Sequence, residues 1–93
     1  MRRLQLPADT AFLIRGLHPE LKRKVRTALD HILGNPSVGK ALKEELAGLR
    51  SYRVGRIRII CRSTTGDVVE LVALGPRSTI YEETLRLVRK QAR

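Results

Sequence analysis

Four arginines, Arg53, Arg56, Arg58 and Arg62, fall within the twelve residues 51-SYRVGRIRIICR-62, and no acid stands among them. A guanidinium stays protonated in proteins and offers N–H donors in a planar fork, so such a set suits phosphate oxygens. The stretch otherwise alternates as a β-hairpin, where like charges directly opposite one another cost stability. It is therefore either a solvated charged face or a face across which something anionic lies in use. Arg77 and Tyr81, four residues apart, add another guanidinium and a phenol. The remaining reactive types offer less. His18 precedes Pro19, and His31 falls on the polar side of a helical stripe, so both read as solvated helix residues. The nine acids include no paired set near the arginines, so neither a carboxylate dyad nor a metal site is expected. Cys61 is the one cysteine, which excludes an internal disulfide and a Cys-based metal site. It lies in an apolar strand pattern and reads as a buried, inert thiol.

The elements that must position these groups follow from the hydrophobic period. Residues 2–6 (RRLQL) alternate as a short strand ended by Pro7. Asp9 reads as the N-cap of a helix over 10–17 that carries Phe12, Leu13 and Leu17. His18-Pro19 breaks it, because the residue before proline leaves the α region and proline suits a first helical turn. Leu21, Val25, Ala28, Leu29 and Ile32 then form one stripe of a 3.6-residue period, closed by Gly34-Asn35-Pro36. Residues 10–33 are thus a helical hairpin, followed by a connector over 37–46.

Beyond it the period becomes two. Gly55-Arg56 suits a two-residue turn with glycine first, which pairs Val54 with Ile57, Arg53 with Arg58 and Tyr52 with Ile59. Tyr52, Val54, Ile57, Ile59 and Cys61 go to one face, Arg53 and Arg58 to the other, so the register is well specified. After the turn 64-TTGD-67, VVELVAL at 68–74 reads as a central strand covered on both faces and ended by Gly75-Pro76. Thr79-x-x-Glu82 is a capping-box signature for a last helix with Ile80, Leu85 and Val88 as apolar contacts. The order β-αα-βββ-α predicts one α+β domain over 1–93: an N-terminal helical hairpin on a mainly antiparallel sheet of three or four strands, with a C-terminal helix. A concave sheet flanked by that helix start would bring Arg53, Arg56, Arg58, Arg77 and Tyr81 to one anion.

Composition sets the class of partner. Ninety-three residues suffice for a domain that folds without staples. With 42% hydrophobic residues but one Phe, two Tyr and no Trp, the core must be aliphatic. Nineteen Lys and Arg against nine acids give a net charge of +10, which favours nucleic acid, an anionic membrane surface or an acidic protein. No apolar run approaches the roughly 20 residues of a membrane span, and the basic start lacks a signal-peptide stretch, so a cytoplasmic location with no membrane partner is expected.

The stretches LKEELAGLRSYRVGRIRIICR (42–62) and VVELVALGPRSTIYEE (68–83) resemble toxins of the RelE/ParE superfamily of bacterial toxin–antitoxin pairs, through the "YRVG-x-x-R" and "GxR…Y" spacings. The resemblance runs through essentially the whole chain. It implies a small α+β fold shared with microbial ribonucleases, and a cognate antitoxin as partner. The RelE-like branch cuts messenger RNA in the ribosomal A site; the ParE-like branch poisons DNA gyrase. By position it implies that Arg53, Arg58, Arg77 and Tyr81 form the catalytic set, with Arg50, Arg56 and Arg62 as RNA contacts. Gly55 stands where some RelE-like toxins have a second basic residue, and Arg56 is the available substitute. Relatives often carry an acid at the position of Arg56 and an aromatic at that of Cys61.

The favoured implication is a ribosome-dependent mRNA endoribonuclease without a cofactor. Such cleavage uses the 2′-OH as nucleophile on the adjacent phosphate. It needs a base, stabilisation of the phosphorane charge and an acid for the leaving 5′ oxygen. Tyr81 is the remaining candidate base: a free phenol is poor at neutral pH, but nearby arginines and the positive end of the last helix favour phenolate. Arg77 could act at the leaving oxygen. Against these roles stand plainer ones, a half-buried phenol packing on the sheet and a solvated arginine face. Two other readings are a gyrase inhibitor that cuts nothing and a non-catalytic basic RNA-binding domain, which would lack aromatic stacking platforms. Arg86, Arg89, Lys90 and Arg93 are assigned no chemistry; they read as a solvated or ribosomal-RNA-facing stripe. A basic surface suits an acidic, partly disordered antitoxin segment that folds on binding.

Overall fold

The change of hydrophobic period near residue 48 divides a helical half from a sheet half. The structure, a computed structural model, describes residues 2–91, so Arg93 of the C-terminal basic stripe lies outside the described residues. The order is β1 (Arg3–Gln5), α1 (Ala8–Arg15), α2 (Pro19–Gly34), β2 (Lys40–Ala41), β3 (Leu49–Val54), β4 (Ile57–Thr64), β5 (Val68–Pro76) and α3 (Ile80–Gln91). The strands lie in the order β1-β5-β4-β3-β2. β1 runs parallel to β5 and every other pairing is antiparallel. The class is the expected α+β, with a five-stranded mixed sheet in place of three or four strands. The added strand, β2, is two residues inside the expected connector, held by Lys40 opposite Ser51 and Ala41 opposite Arg50. Two residues are too few to show a period.

The α2 stripe behaves as its spacing demands, with Val25, Leu29 and Ile32 buried. His18 is the N-cap of α2, its Nδ1 accepting from the Glu20 N–H at 3.3 Å. α1 departs from expectation. It begins at Ala8 with Pro7 at the cap position, and Asp9 makes no cap but lies in the first turn, where its charge meets the positive helix end. Buried Thr10 and half-buried Ile14, one turn apart, face inward, which leaves Phe12 74% and Leu13 53% exposed. Leu17 packs on the core as expected.

The sheet is covered on both faces. Toward α1 and α2 lie Tyr52, Val54, Ile59, Cys61, Val69, Leu71 and Leu74; toward α3 lie Leu49, Ile60, Ala73 and Ile80. The β4–β5 register slips by one residue between Ile60 and Cys61, leaving Val72 as the extra residue of β5. That bulge lets Leu71 and Leu74, three apart, both face the helical hairpin. It also sends Ala73 toward α3, which sits there through Ile80, Thr84 and Val88. Leu85 is half-buried and outside the core clusters; Thr84 takes its place, its hydroxyl satisfied by donating to the Ile80 carbonyl at 2.7 Å. Burial pushes the Cys61 thiol up to about 12, so it is inert at neutral pH. Among the described residues no helix is long and apolar enough to cross a membrane.

Candidate functional site

The β3–β4 hairpin adopts the expected register, with Val54 opposite Ile57, Arg53 opposite Arg58 and Tyr52 opposite Ile59. Gly55 has φ +60°, the left-handed conformation that a two-residue turn with glycine first requires. On its other side β4 pairs Arg58 with Gly75 and Ile57 with Pro76, so the chain leaves β5 beside the hairpin tip at Arg77. The result is a cleft of about 250 Å³ walled by Arg53, Arg56, Arg58 and Arg77. Four of the five groups expected to meet one anion thus meet.

Tyr81 joins them at one remove. Its ring packs on the cluster under α3, and its hydroxyl lies 3.2 Å from Ser51 Oγ. Arg58 Nη1 donates to the same Oγ at 3.4 Å. Ser51, only 2% exposed, therefore links the phenol to the arginine cleft. Ser51 and Arg53 share a face of β3 by simple alternation, which is the signal that could have found Ser51 in the sequence.

No ion pair among the described residues compensates the charge in this cleft. Among the described residues the ion pairs are Arg62 with Glu70, and Arg89 with Glu45 at 2.9 Å, and neither reaches the cleft. Arg58 Nε is buried without a hydrogen-bond partner. One acid comes near: a Cβ at Gly75 would stand 3.6 Å from Glu83 Oε2, so this carboxylate lies over the β5 partner of Arg58. Glu83 projects from the first turn of α3, a position that the sequence alone does not connect with the hairpin.

The other basic residues are placed differently. Arg50 stands opposite Cys61, on the helical-hairpin side, and its Nη2 donates to the carbonyls of Ser37 at 3.0 Å and Gly39 at 2.7 Å. It ties down the connector and is not brought to the cleft. Arg62 is engaged by Glu70. Arg89 holds Glu45 below the usual carboxylate range through a hydrogen bond and its charge. His31 is exposed, yet it lines a second cleft of about 410 Å³ with Lys40, Ser51, Arg53 and Arg58. Sequence reasoning missed His31 and Lys40 because only the tertiary path of the connector brings α2 and β2 to this side of β3. Among the described residues no group of three His, Cys, Asp or Glu is placed to hold a metal ion.

Chemically, four guanidinium forks around one cleft can hold a phosphate and meet charge that grows on it. The phenol, bridged to Arg58 by a buried hydroxyl, is one nearby group able to exchange a proton; the His31 imidazole and the Glu83 carboxylate are others. A family model described as "ParE toxin of type II toxin-antitoxin system, parDE" matches residues 14–81. A sequence comparison with curated proteins gives no match. The fold is similar to that in the RelBE2 toxin–antitoxin complex of Mycobacterium tuberculosis, with TM-score 0.71 and 25% identity over 82% of this chain and 98% of that one. It is also similar to a mutant of E. coli RelE in the free state, with TM-score 0.76, 14% identity and coverage of 97% and 96%. The archaeal RelE–RelB complex of Pyrococcus horikoshii gives 0.67, 22% identity and coverage of 82% and 94%.

Proposed function

We propose that this chain, which belongs to the RelE/ParE superfamily of type II toxin–antitoxin toxins, is a cytoplasmic endoribonuclease that cuts messenger RNA on the ribosome and so stops translation. The observation that carries this reading is the Arg58–Ser51–Tyr81 chain opening beside a cleft of four arginines. In the reaction, the 2′-OH attacks the adjacent phosphorus while Tyr81, acting as general base, accepts its proton. Arg53 and Arg58 hold the non-bridging oxygens, whose charge grows in the phosphorane. Arg77, at the cleft wall, stabilises the departing 5′ oxygen, which takes a proton from solvent water and leaves as a 5′-OH. The other product carries a 2′,3′-cyclic phosphate. So few positioning groups call for a substrate already aligned, which a translating ribosome supplies.

The family model favours a second reading, a ParE-like toxin that inhibits DNA gyrase and cuts nothing. One experiment separates them: the purified chain is given programmed ribosomes in one arm and gyrase with relaxed plasmid in the other. Cut mRNA with unimpaired supercoiling supports the nuclease; intact mRNA with blocked supercoiling overturns it. Either way the partner is an antitoxin. The net charge of +10 favours an acidic segment, and the exposed Phe12 and Leu13 offer it apolar anchors.

A further inference from the structure

The cleft of about 410 Å³ beside the arginine wall is not used by the phosphate chemistry. We propose that it is a nucleobase subsite, which takes the base of the nucleotide whose phosphate lies on Arg53 and Arg58. This rests on the RNA-directed reading above and adds to it a place where sequence can be felt.

Three observations point there. First, Arg53 and Arg58 line both clefts, so a ligand can pass from one to the other without leaving the wall. Second, the linings differ. The smaller cleft is lined by four arginines with Gly55 and Ile57, whereas the larger adds Ala28, Val38 and the Tyr52 ring to His31 and Lys40. At this volume, a lining that mixes apolar surface with polar and charged groups suits a small planar ligand that carries both. Third, the cleft lies along a bare strand edge. β2 covers β3 only at Arg50 and Ser51. The Leu42 N–H donates to the Leu49 carbonyl at 3.0 Å, so Leu49 turns its backbone groups toward β2. In an antiparallel ladder this side alternates, so Ser51 and then Arg53 turn the same way, and Arg53 lies past the end of β2.

Arg53 therefore presents one N–H and one carbonyl, side by side, to the cleft. A donor next to an acceptor matches the edge of a planar base. A single uncovered residue of edge is too short for a peptide strand, which needs a run of alternate pairs. His31, exposed on α2 above this edge, supplies a ring for stacking or an N–H donor. Gly39 and Tyr52 hold the floor: a Cβ at Gly39 would come within 2.5 Å of the Tyr52 ring.

The test is an amide-resolved NMR titration of the isotopically labelled full chain, away from the ribosome. The probes are inorganic phosphate, ribose 5-phosphate, and the 3′ and 5′ monophosphates of adenosine, guanosine, cytidine and uridine. All should shift the amides of Arg53 to Arg58; only nucleotides should shift His31 and Lys40. The best nucleotide should bind about fivefold or more tighter than ribose 5-phosphate, the gain expected of one stacked base. His31→Ala should remove most of that advantage and leave inorganic phosphate binding unchanged. Equal affinity for ribose 5-phosphate and every nucleotide, with His31 and Lys40 silent, overturns the subsite while leaving the phosphate site intact. No shift at Arg53 to Arg58 with any probe overturns the subsite and the RNA-directed reading together.

Discussion

Tyr81→Phe is the substitution that most sharply separates chemistry from packing. It keeps the ring against the α3-side cluster and deletes one hydroxyl, whose partner is Ser51 Oγ at 3.2 Å. Loss of one such neutral hydrogen bond costs about 0.5–1.5 kcal/mol. In a domain of this size that lowers Tm by roughly 2–12 °C. If the hydroxyl only steadies Ser51 and Arg58, the same energy bounds the effect on rate at about tenfold, since 1.4 kcal/mol is one decade. If Tyr81 takes the 2′-OH proton, the loss should be roughly 10²–10⁴. Ser51→Ala is the companion control: it breaks that hydrogen bond from the other side, together with the long contact from Arg58 to the same Oγ, and leaves the phenol in place. Single-turnover cleavage on programmed ribosomes, with Tm measured on the same samples, reads both. The expected order is wild type, then Ser51→Ala within about tenfold, then Tyr81→Phe at least tenfold slower still. Equal rates for the two variants would remove Tyr81 from the proton transfer.

Arg58→Ala and Arg77→Ala should each cut single-turnover cleavage by roughly 10²–10³ while the protein stays folded by circular dichroism, and Arg58→Lys should recover only part, because a point charge cannot reproduce the fork. Wild-type rates in both alanine variants would shift the function to gyrase. Gly39 is not in the left-handed region, so Gly39→Ala tests packing alone. A Cβ would stand 2.5 Å from the Tyr52 ring and 2.8 Å from the Ser51 carbonyl, and a loss of about 1–3 kcal/mol in urea unfolding is expected. Cys61 titrates near 12 when folded and about 8.5 when unfolded, so above pH 8.5 the unfolded chain holds fewer protons and stability falls toward pH 12. Below about pH 10 the slope should approach about 1.4 kcal/mol per pH unit and Cys61→Ala should flatten it; above that, Tyr52, whose phenol burial also pushes up, adds to the loss.

The fold was legible wherever a residue pattern repeated. The α2 stripe, the hairpin register and the glycine-first turn each rest on several agreeing residues, and all three stand in the structure. What escaped the sequence was short or tertiary. β2 has two residues, and β1 joins β5 in parallel through a partner 65 positions away, Arg3 with Val68. In α1 the choice between Phe12-Leu13 and Thr10-Ile14 as the inward face is made by docking on the sheet, and the sequence pattern favoured the wrong pair. At the site, Arg53 beside Arg58 and Arg56 in their turn followed from the hairpin register, whereas Arg77 is placed by the β4–β5 pairing. Ser51 lay in plain alternation with Arg53 but is not a charged residue, and so drew no notice. His31, Lys40 and Glu83 depend on how α2, the connector and α3 close over the hairpin.

The electrostatics of the hairpin bear on its use. Away from the cleft, two arginines are paired with acids, Arg62 with Glu70 and Arg89 with Glu45. Within it, Arg53 faces Arg58 across the ladder, Arg58 Nε is buried without a partner, and no ion pair reaches either among the described residues. A cross-strand pair of opposite charge would be more stable at the same positions. A buried N–H left unpaired adds a further penalty. On the phosphate reading proposed above, an anion between Arg53 and Arg58 would offset the repulsion across the ladder. A protein that needed only solubility could carry +10 on its helices without this arrangement. The same logic makes the anion's affinity salt-dependent: exposed charge on α2 and α3 is screened within roughly 8–10 Å at physiological ionic strength, while the half-buried Arg58 is screened less. Steering toward the cleft should therefore weaken with salt sooner than the bound contacts themselves.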